Sequence, residues 1–205
     1  VSIIVGVGRG AQEGVLIKNA EALELMEKVD TLVVDKTGTL TEGKPTVQHV
    51  TAMSGFAESD VIALAASLEA MSEHPLAQAI ISRATQAKAP KLAVTDFAAV
   101  TGKGVRGRAD GRDVLLGNAR MLADEDVSTT ASARHVENLQ AQGQTVMYLA
   151  VDRKLAGLIG VADPVKASTP EAIRLLKDAG IRIVMLTGDN QVTAAAVGKR
   201  LDLDD

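Results

Sequence analysis

A short polar loop follows an apolar run and carries the first residues that could do chemistry. In TLVVDKTGTL (31–40), Asp35 ends the apolar run, and two threonines flank a glycine just behind it. A carboxylate at the end of a strand can attack a phosphoryl group and form an aspartyl-phosphate. Gly38 would let the backbone approach phosphate oxygens, and Thr39 would add a hydroxyl. A lone Asp here would more often cap a turn.

A second polar loop, MLTGDN (185–190), follows another apolar run. In open α/β sheets, ligands bind at the carboxyl ends of the strands, and this loop, like the first, follows such a strand. Thr187 offers a hydroxyl and Asp189 a carboxylate. The alternative is a strand-to-helix turn in which Asp189 or Asn190 caps the helix.

A third group lies in the middle of the chain. Glu69 and His74 are five residues apart in SLEAMSEHPLA (67–77), and the glycine-containing stretches TGKGVRG (101–107) and LLGN (115–118) follow. Two glycines on a strand leave a cleft without side chains. Taken alone, the histidine would be a solvated loop residue and the GKG stretch a bulge.

The string DKTGTLT (35–41) resembles the phosphorylation motif of P-type ATPases, which belong to the haloacid-dehalogenase-like superfamily. The resemblance implies that Asp35 accepts the γ-phosphoryl group of ATP. It also implies that Asp35 and the Thr37 carbonyl bind Mg²⁺, and that Lys36 and Thr39 line the phosphate.

Thr37 stands where phosphatases similar to this family carry a second Asp as general acid/base. Such a group typically contributes about 10²–10⁴-fold to the rate. Without it, an aspartyl-phosphate on Asp35 would persist until another domain supplies the water. A pump needs this property and a phosphatase does not.

The other two groups resemble further parts of the same family. In the second loop, the resemblance implies that the Thr187 hydroxyl contacts the phosphoryl oxygens and that Gly188 allows them to approach closely. Asp189 would lie on the nucleotide side. The middle of the chain resembles the nucleotide-binding domain of heavy-metal P-type ATPases, in which Glu69 would recognise the adenine amino edge and His74 would orient the nucleotide. The remaining nucleotide-contacting residues by this resemblance are Gly102, Gly104, Gly117, Asn118 and Asp163.

Strands and helices alternate at both ends of the chain, whereas the middle contains short strands broken by glycine. Together with the resemblance, this predicts an α/β fold, namely a truncated Rossmann-like haloacid-dehalogenase-type phosphorylation domain. An α+β nucleotide-binding domain, an antiparallel sheet with helices, is inserted into it. The predicted divisions are a membrane-proximal segment (1–18), the phosphorylation domain (19–46 and an incomplete 158–205) and the insertion (47–157).

Local patterns predict the helices and the crossings between the two domains. Apolar periodicity predicts helices that include 58–71, 72–87 and 129–143, the second with a proline in its first turn. ADPVK (162–166) resembles the hinge motif of the family, which would make Asp163 and Lys166 hinge or nucleotide contacts. The alternative is an ordinary turn at the entry to a helix.

Composition excludes several classes of function. The net charge of −4 and the three aromatic residues argue against a nucleic-acid partner. The absence of cysteine excludes disulfides and thiolate metal sites within the chain. The apolar stretch VSIIVGVG (1–8) is too short to span a bilayer, and it is either the end of a membrane helix or an ordinary buried segment. His49 and His135 lack a motif and are predicted to be structural.

The resemblance implies the ATP-binding and phosphorylation region of a metal-exporting P-type ATPase. Overall similarity favours copper(I), while silver and zinc stay open. The parent would be an integral membrane protein with this soluble part at its cytosolic face. Its partners would be ATP, the membrane, actuator and remaining phosphorylation-domain segments, and a metallochaperone.

The 205 residues lack the family's GDGxND loop, whose acids bind Mg²⁺. We therefore expect this chain by itself to bind nucleotide but to phosphorylate Asp35 poorly. The alternatives are a haloacid-dehalogenase-type phosphohydrolase and a non-catalytic ATP-binding module.

Overall fold

The computed structural model describes residues 2–204, and its strands form two separate sheets. The strands are β1 (Thr31–Asp35), β2 (Thr46–Ala52), β3 (Val94–Val100), β4 (Gly104–Ala109), β5 (Arg112–Gly117), β6 (Thr145–Val151), β7 (Lys154–Ala162) and β8 (Arg182–Leu186). The helices are α1 (Ser2–Gln12), α2 (Ala20–Met26), α3 (Glu58–Glu69), α4 (Ala77–Gln86), α5 (Ala119–Asp124), α6 (Ala133–Ala141), α7 (Thr169–Asp178) and α8 (Gln191–Leu201).

The smaller sheet is the parallel pair of β1 and β8, in register from Thr31 with Arg182 to Asp35 with Leu186. A parallel connection requires a crossover, and the crossover into β8 runs through α7. This helix has proline in its first turn, and Gly180, with φ of +79°, lies just beyond its end. Ile173 of α7 and Leu201 of α8 pack with the sheet in one buried cluster.

The larger sheet has six antiparallel strands in the order β2-β7-β6-β5-β4-β3. Residues 146–151 of β6 are all buried, because the strand is covered on both faces. Leu149 packs in a cluster with α3 and α4, while its neighbour Tyr148 packs in a second cluster with α5 and α6. Successive side chains of a strand point to opposite faces, so a wholly apolar strand serves both helical layers. The predicted α/β fold with an inserted antiparallel α+β unit is confirmed.

The second predicted helix, 72–87, begins later than the periodicity suggested. α4 starts at Ala77, so Pro75 lies in the preceding loop and the predicted position in the first turn is wrong. In this loop Ser72 Oγ accepts a hydrogen bond from the His74 amide, and His74 Nδ1 accepts one from the Leu76 amide. Such local side-chain bonds to the backbone compete with helix formation.

The short helix α5 was not predicted, and one predicted helix is shorter than expected. Asn118 caps α5, and α6 covers only the central part of the predicted 129–143 helix, after a single 3₁₀ turn. α1 contains most of the apolar stretch at the start of the chain, whose first residue lies outside the described residues. The side chain of Ile4 is 79% exposed, so the interpretation of this stretch as a buried segment is wrong. None of the helices within residues 2–204 has the length and apolarity needed to cross a bilayer.

The six-stranded sheet is entered through β2 and left through β7, and these strands pair with each other. The predicted division between 157 and 158 falls inside β7, whose pairing with β2 continues to Ala162. We therefore propose that the inserted unit runs from Thr46 to Ala162. The two crossings would then be residues 42–45 and 163–166.

Candidate functional site

The two predicted polar loops meet at one edge of the smaller sheet. Asp35 is the last residue of β1 and pairs in register with Leu186, the last residue of β8. The Asp35 side chain is exposed, and its Oδ1 accepts a long hydrogen bond of 3.3 Å from the Thr37 amide. The candidate nucleophile is therefore open to solvent, with the 187–189 loop beside it.

A partly buried ion pair joins the two loops. Lys36 Nζ donates to Asp189 Oδ2, and the two side chains are only 11% and 15% exposed. Charges in such a poorly hydrated position interact more strongly than they would at the surface. The Thr187 hydroxyl accepts from the Asp189 amide at 3.1 Å, which orders the loop. A Cβ at Gly188 would meet nothing within 4 Å, so the approach to this loop is open.

The loop after Asp35 is a wide turn closed by Thr41. The Thr41 amide donates to the Lys36 carbonyl at 3.1 Å, and Thr41 is buried. Gly38 has φ of +76°, a conformation that most residues with a Cβ adopt only at a cost. Thr39 is exposed at the loop surface. Thr41 was not singled out in the sequence, although its place at the end of the DKTGTLT string could have drawn attention to it.

Asp163 clamps the first crossing to the second. Its carboxylate accepts from Thr41 Oγ1 at 2.6 Å, from the Gly43 amide at 3.1 Å and from the Lys44 amide at 2.9 Å. Lys166 Nζ also donates to the Gly38 carbonyl, at 2.6 Å. Both residues thus hold the phosphorylation-type loop from the second crossing, as a hinge contact would.

The two residues assigned to Mg²⁺ offer a donor set that suits this ion. Mg²⁺ takes oxygen ligands and is commonly held by one or two carboxylates together with phosphate and water. Asp35 supplies an exposed carboxylate and Thr37 a backbone carbonyl. Within residues 2–204, no three acidic or histidine side chains come close enough to form a metal cage. The donors fit an ion that is shared with a phosphate rather than one enclosed by protein.

In the inserted unit, Glu69 ends α3 in an apolar position. It is 1% exposed, and its Oε2 has no hydrogen-bond partner within the described residues. Burial raises the pKa of the Glu69 carboxyl, while the Ser72 hydroxyl and the charge of His74 lower it. The His74 side chain is exposed, and its Nδ1 edge is fixed by the Leu76 amide. An unpartnered buried oxygen suits a ligand that can donate a hydrogen bond.

The four remaining residues of the predicted nucleotide site in this unit form one tight corner. Gly104 and Gly117 face each other across β4 and β5, and Asn118 donates to the Gly102 carbonyl at 2.9 Å. A Cβ at Gly104 would lie 2.2 Å from the Leu116 carbonyl oxygen, so this glycine is required by packing. α3, which ends at Glu69, packs against β4, which begins at this corner.

The two remaining histidines make hydrogen bonds within the fold. His49 Nδ1 lies 3.0 Å from Gln144 Oε1, and His135 Nε2 lies 2.9 Å from Thr51 Oγ1. A cavity of about 580 Å³ lies between the two units and is bordered by Lys36, His49, Gln144, Ala162–Val165 and Arg200, among others. Sequence reasoning did not find Gln144 or its neighbour Thr145, because nothing in their local sequence shows that they reach the 187–193 region.

Comparison with known proteins gives consistent results. The sequence profile of the haloacid dehalogenase-like hydrolase family matches residues 29–205. Over all 205 residues the chain is 53% identical to a copper-transporting P-type ATPase of Rhizobium leguminosarum bv. viciae, of which it covers 24%. It is 50% identical to a silver exporting P-type ATPase of Salmonella typhimurium, of which it covers 25%.

A solved zinc-transporting PIB-type ATPase in its E2.Pi state has the same fold over 98% of this chain and 32% of its own, with a TM-score of 0.76 and 35% identity. The chain spans about a quarter of the length of the curated relatives described above. The predicted resemblance to heavy-metal P-type ATPases is thus confirmed over the whole chain. Since the family profile matches far more than half of the residues of this chain, the chain belongs to the haloacid dehalogenase-like hydrolases.

Proposed function

We propose that this chain is the nucleotide-binding and phosphorylation region of a metal-exporting P-type ATPase. The observation that carries the proposal is the shared edge of β1 and β8, where Asp35 stands beside the Lys36–Asp189 pair. A nucleophilic carboxylate next to a cationic side chain suits phosphoryl transfer, which depends on positioning and on neutralising charge.

In the proposed reaction, a carboxylate oxygen of Asp35 forms a bond to the γ-phosphorus of ATP. The bond from that phosphorus to the β–γ bridging oxygen breaks, and ADP leaves with the electron pair. Lys36 and the Thr187 hydroxyl would bind the phosphoryl oxygens, and Thr39 and the Gly188 backbone would line their approach. Mg²⁺, held by Asp35 and the Thr37 carbonyl, would supply positive charge to the phosphate.

The inserted unit would bind the adenine end of ATP. Glu69 offers a buried carboxyl oxygen that lacks a partner within the described residues, so the adenine amino group could donate to it. His74 is exposed in the adjoining loop and could orient the nucleotide. Gly102, Gly104, Gly117 and Asn118 would form the wall of the site. Asp163 would act through the crossing that joins the two units.

The relatives support a proposal for the transported ion and for the setting of the whole protein. Similarity to copper and silver pumps favours copper(I) as the cargo, and zinc is the alternative. The region would lie at the cytosolic face of a membrane. It would work with membrane, actuator and further phosphorylation-domain segments, and a metallochaperone would deliver the metal to the full-length protein.

Nucleotide titration tests the adenine site. By calorimetry, Glu69→Ala and His74→Gln should each weaken ATP binding by about tenfold, the effect of one or two lost hydrogen bonds. Glu73→Ala is the matched control, because this exposed acid lies in the same loop. Unchanged affinity in both variants would defeat the assignment.

Labelling from γ-labelled ATP tests the phosphorylation site. We expect the 205-residue chain alone to bind nucleotide but to incorporate little label. Within residues 2–204, Asp35 and Thr37 are the two donors that we assign to Mg²⁺, and the described residues hold no cluster of three metal-binding side chains. Robust labelling of Asp35 in this chain would contradict the expected impairment, and turnover of simple phosphate esters would favour a phosphohydrolase.

A further inference from the structure

The carboxylate of Asp189 is held from both units of the molecule. Its Oδ2 accepts from Lys36 Nζ, on the loop after β1. Its Oδ1 accepts a long hydrogen bond of 3.3 Å from the hydroxyl of Thr145, the first residue of β6. Because β6 belongs to the six-stranded sheet, this contact links the inserted unit to the phosphorylation-type edge, which is the end of β1 and β8 that carries Asp35, Lys36 and Asp189.

Thr145 is held in place by the residue before it. The Gln144 carbonyl accepts from Thr193 Oγ1 at 3.1 Å, and the two residues are 3% and 0% exposed. Thr193 also donates its amide to Asn190 Oδ1, the cap of α8 that directly follows Asp189. The turn between α6 and β6 is therefore fixed to the same loop that carries Asp189.

A carboxylate with one partner on each oxygen has a defined orientation. If the partner of Oδ1 is removed, Asp189 can rotate, and the ammonium group of Lys36 loses its fixed partner. A displacement of about 1 Å can cost on the order of 10²-fold in rate when it affects groups that position a reaction. The hydroxyl of Thr145 is thus well placed to control where Lys36 sits relative to Asp35.

We propose that Thr145 is a positioning residue for phosphoryl transfer to Asp35, acting through Asp189 on Lys36. The inference rests on the proposed function. It assigns to the inserted unit a role at the transfer site that is separate from nucleotide binding.

The first test measures the reactivity of Lys36 in the 205-residue chain and does not depend on activity. An amine-selective reagent is applied, and the rate of Lys36 modification is followed by peptide mass spectrometry. Thr145→Val keeps the shape but removes the hydroxyl, and should raise the rate about three- to tenfold, the range that one hydrogen bond supports. Thr145→Ser restores a hydroxyl and should return the rate close to that of the wild type.

Thr51→Val is the matched control, because it removes a Thr–His hydrogen bond within the inserted unit that does not reach Asp189. It should leave the Lys36 rate unchanged. Equal rates in wild type and Thr145→Val, or an equal rise in Thr51→Val, would overturn the proposal.

The second test uses the full-length protein, because the 205-residue chain alone is expected to take up little label. It follows labelling of Asp35 from two donors, ATP and acetyl phosphate, in the presence of Mg²⁺. With acetyl phosphate, the carboxylate attacks phosphorus and acetate leaves, so the adenine site is bypassed. Thr145→Val should slow labelling from both donors by about tenfold or more while ATP affinity is retained. His74→Gln should slow labelling from ATP alone.

These outcomes separate the two proposals. If the wild type is phosphorylated and Thr145→Val labels equally fast from acetyl phosphate, the positioning role is overturned while the proposed function stands. If the wild type neither binds ATP nor accepts label, the proposed function fails, and the Lys36 rates alone decide whether Thr145 controls the ion pair.

Discussion

The phosphorylation-type edge and the glycine corner of the inserted unit are held together in different ways. At the edge, Lys36 and Asp189 are 153 positions apart in the chain and meet as a partly buried ion pair. In the corner, Gly104 and Gly117 sit opposite each other on neighbouring strands, with no room for a Cβ. Charge and hydrogen bonds define the first site, whereas the close approach of backbones defines the second.

This difference predicts different responses to substitution. A polar substitution at the edge should change chemistry more than stability, because Asp35 is exposed and makes few contacts. A substitution in the corner should change stability first, since an added methyl group meets backbone atoms that cannot easily move. Substitutions at both sites can therefore test the comparison.

The largest expected effect is the loss of labelling when Asp35→Asn is made in the full-length protein, since the 205-residue chain alone is expected to take up little label. The amide cannot act as the nucleophile, so incorporation from γ-labelled ATP or acetyl phosphate should fall to background. Asp35 is exposed, and its Oδ1 can be replaced by the amide oxygen, so nucleotide affinity and the urea midpoint should be retained. Glu42→Gln, at an exposed acid in the same loop, is the control and should label like the wild type. Residual label in Asp35→Asn would place the acceptor elsewhere.

The next largest effect is expected for Gly104→Ala, measured as the free energy of unfolding in urea. Gly104 has φ of +153°, and an added Cβ would lie 2.2 Å from the Leu116 carbonyl oxygen. We therefore expect the free energy of unfolding to fall by about 2–4 kcal/mol.

Gly102→Ala provides the matched comparison. Gly102 also has a positive φ, of +69°, but an added Cβ there meets nothing within 4 Å. Its loss should be about 1–2 kcal/mol, which is the cost of the left-handed conformation alone. Equal losses in the two variants would show that backbone crowding does not define the corner.

A smaller effect is expected at the clamp between the crossings. Asp163→Ala removes the acceptor of one hydroxyl and two backbone amides, with an expected loss of about 1–3 kcal/mol. Amide hydrogen exchange at Gly43 and Lys44 should accelerate most. Asp60→Ala, which removes a carboxylate acceptor for a backbone amide at the start of α3, should leave these two amides unchanged. Exchange that is equally slow in both variants would argue against the clamp.

The phosphorylation-type edge was predictable because parallel strands bring their carboxyl ends to one place. The apolar runs before Asp35 and Thr187 therefore sufficed to bring the two loops together. The contact of Thr145 with Asp189 was not predictable, because it depends on how the inserted unit docks. The loop around Pro75 was mispredicted, since Ser72 and His74 satisfy backbone amides that a helix would otherwise use. The packing of Gly104 against Gly117 required the strand register, which no local pattern specifies.

The smallest expected effect is a pH dependence that distinguishes the inserted unit from the edge. Burial raises the pKa of the Glu69 carboxyl in the folded state from its ordinary value of 4.5, although the Ser72 hydroxyl and the charge of His74 lower it in part. The folded state therefore holds this proton more tightly than the unfolded chain does. Ionisation of Glu69 should cost stability as the pH rises from the ordinary pKa through the raised one.

Glu69→Gln stays neutral and should remove this cost. Its free energy of unfolding relative to the wild type should increase as the pH rises from about 4 to 7, and should level off once Glu69 is ionised in both states. Urea titrations across that range measure the difference, with the exposed Glu73→Gln as the control. A difference that does not change with pH would mean that the Glu69 carboxyl is not poorly hydrated in the folded protein. The contrast between a buried acid in the inserted unit and an exposed acid at Asp35 would then be lost.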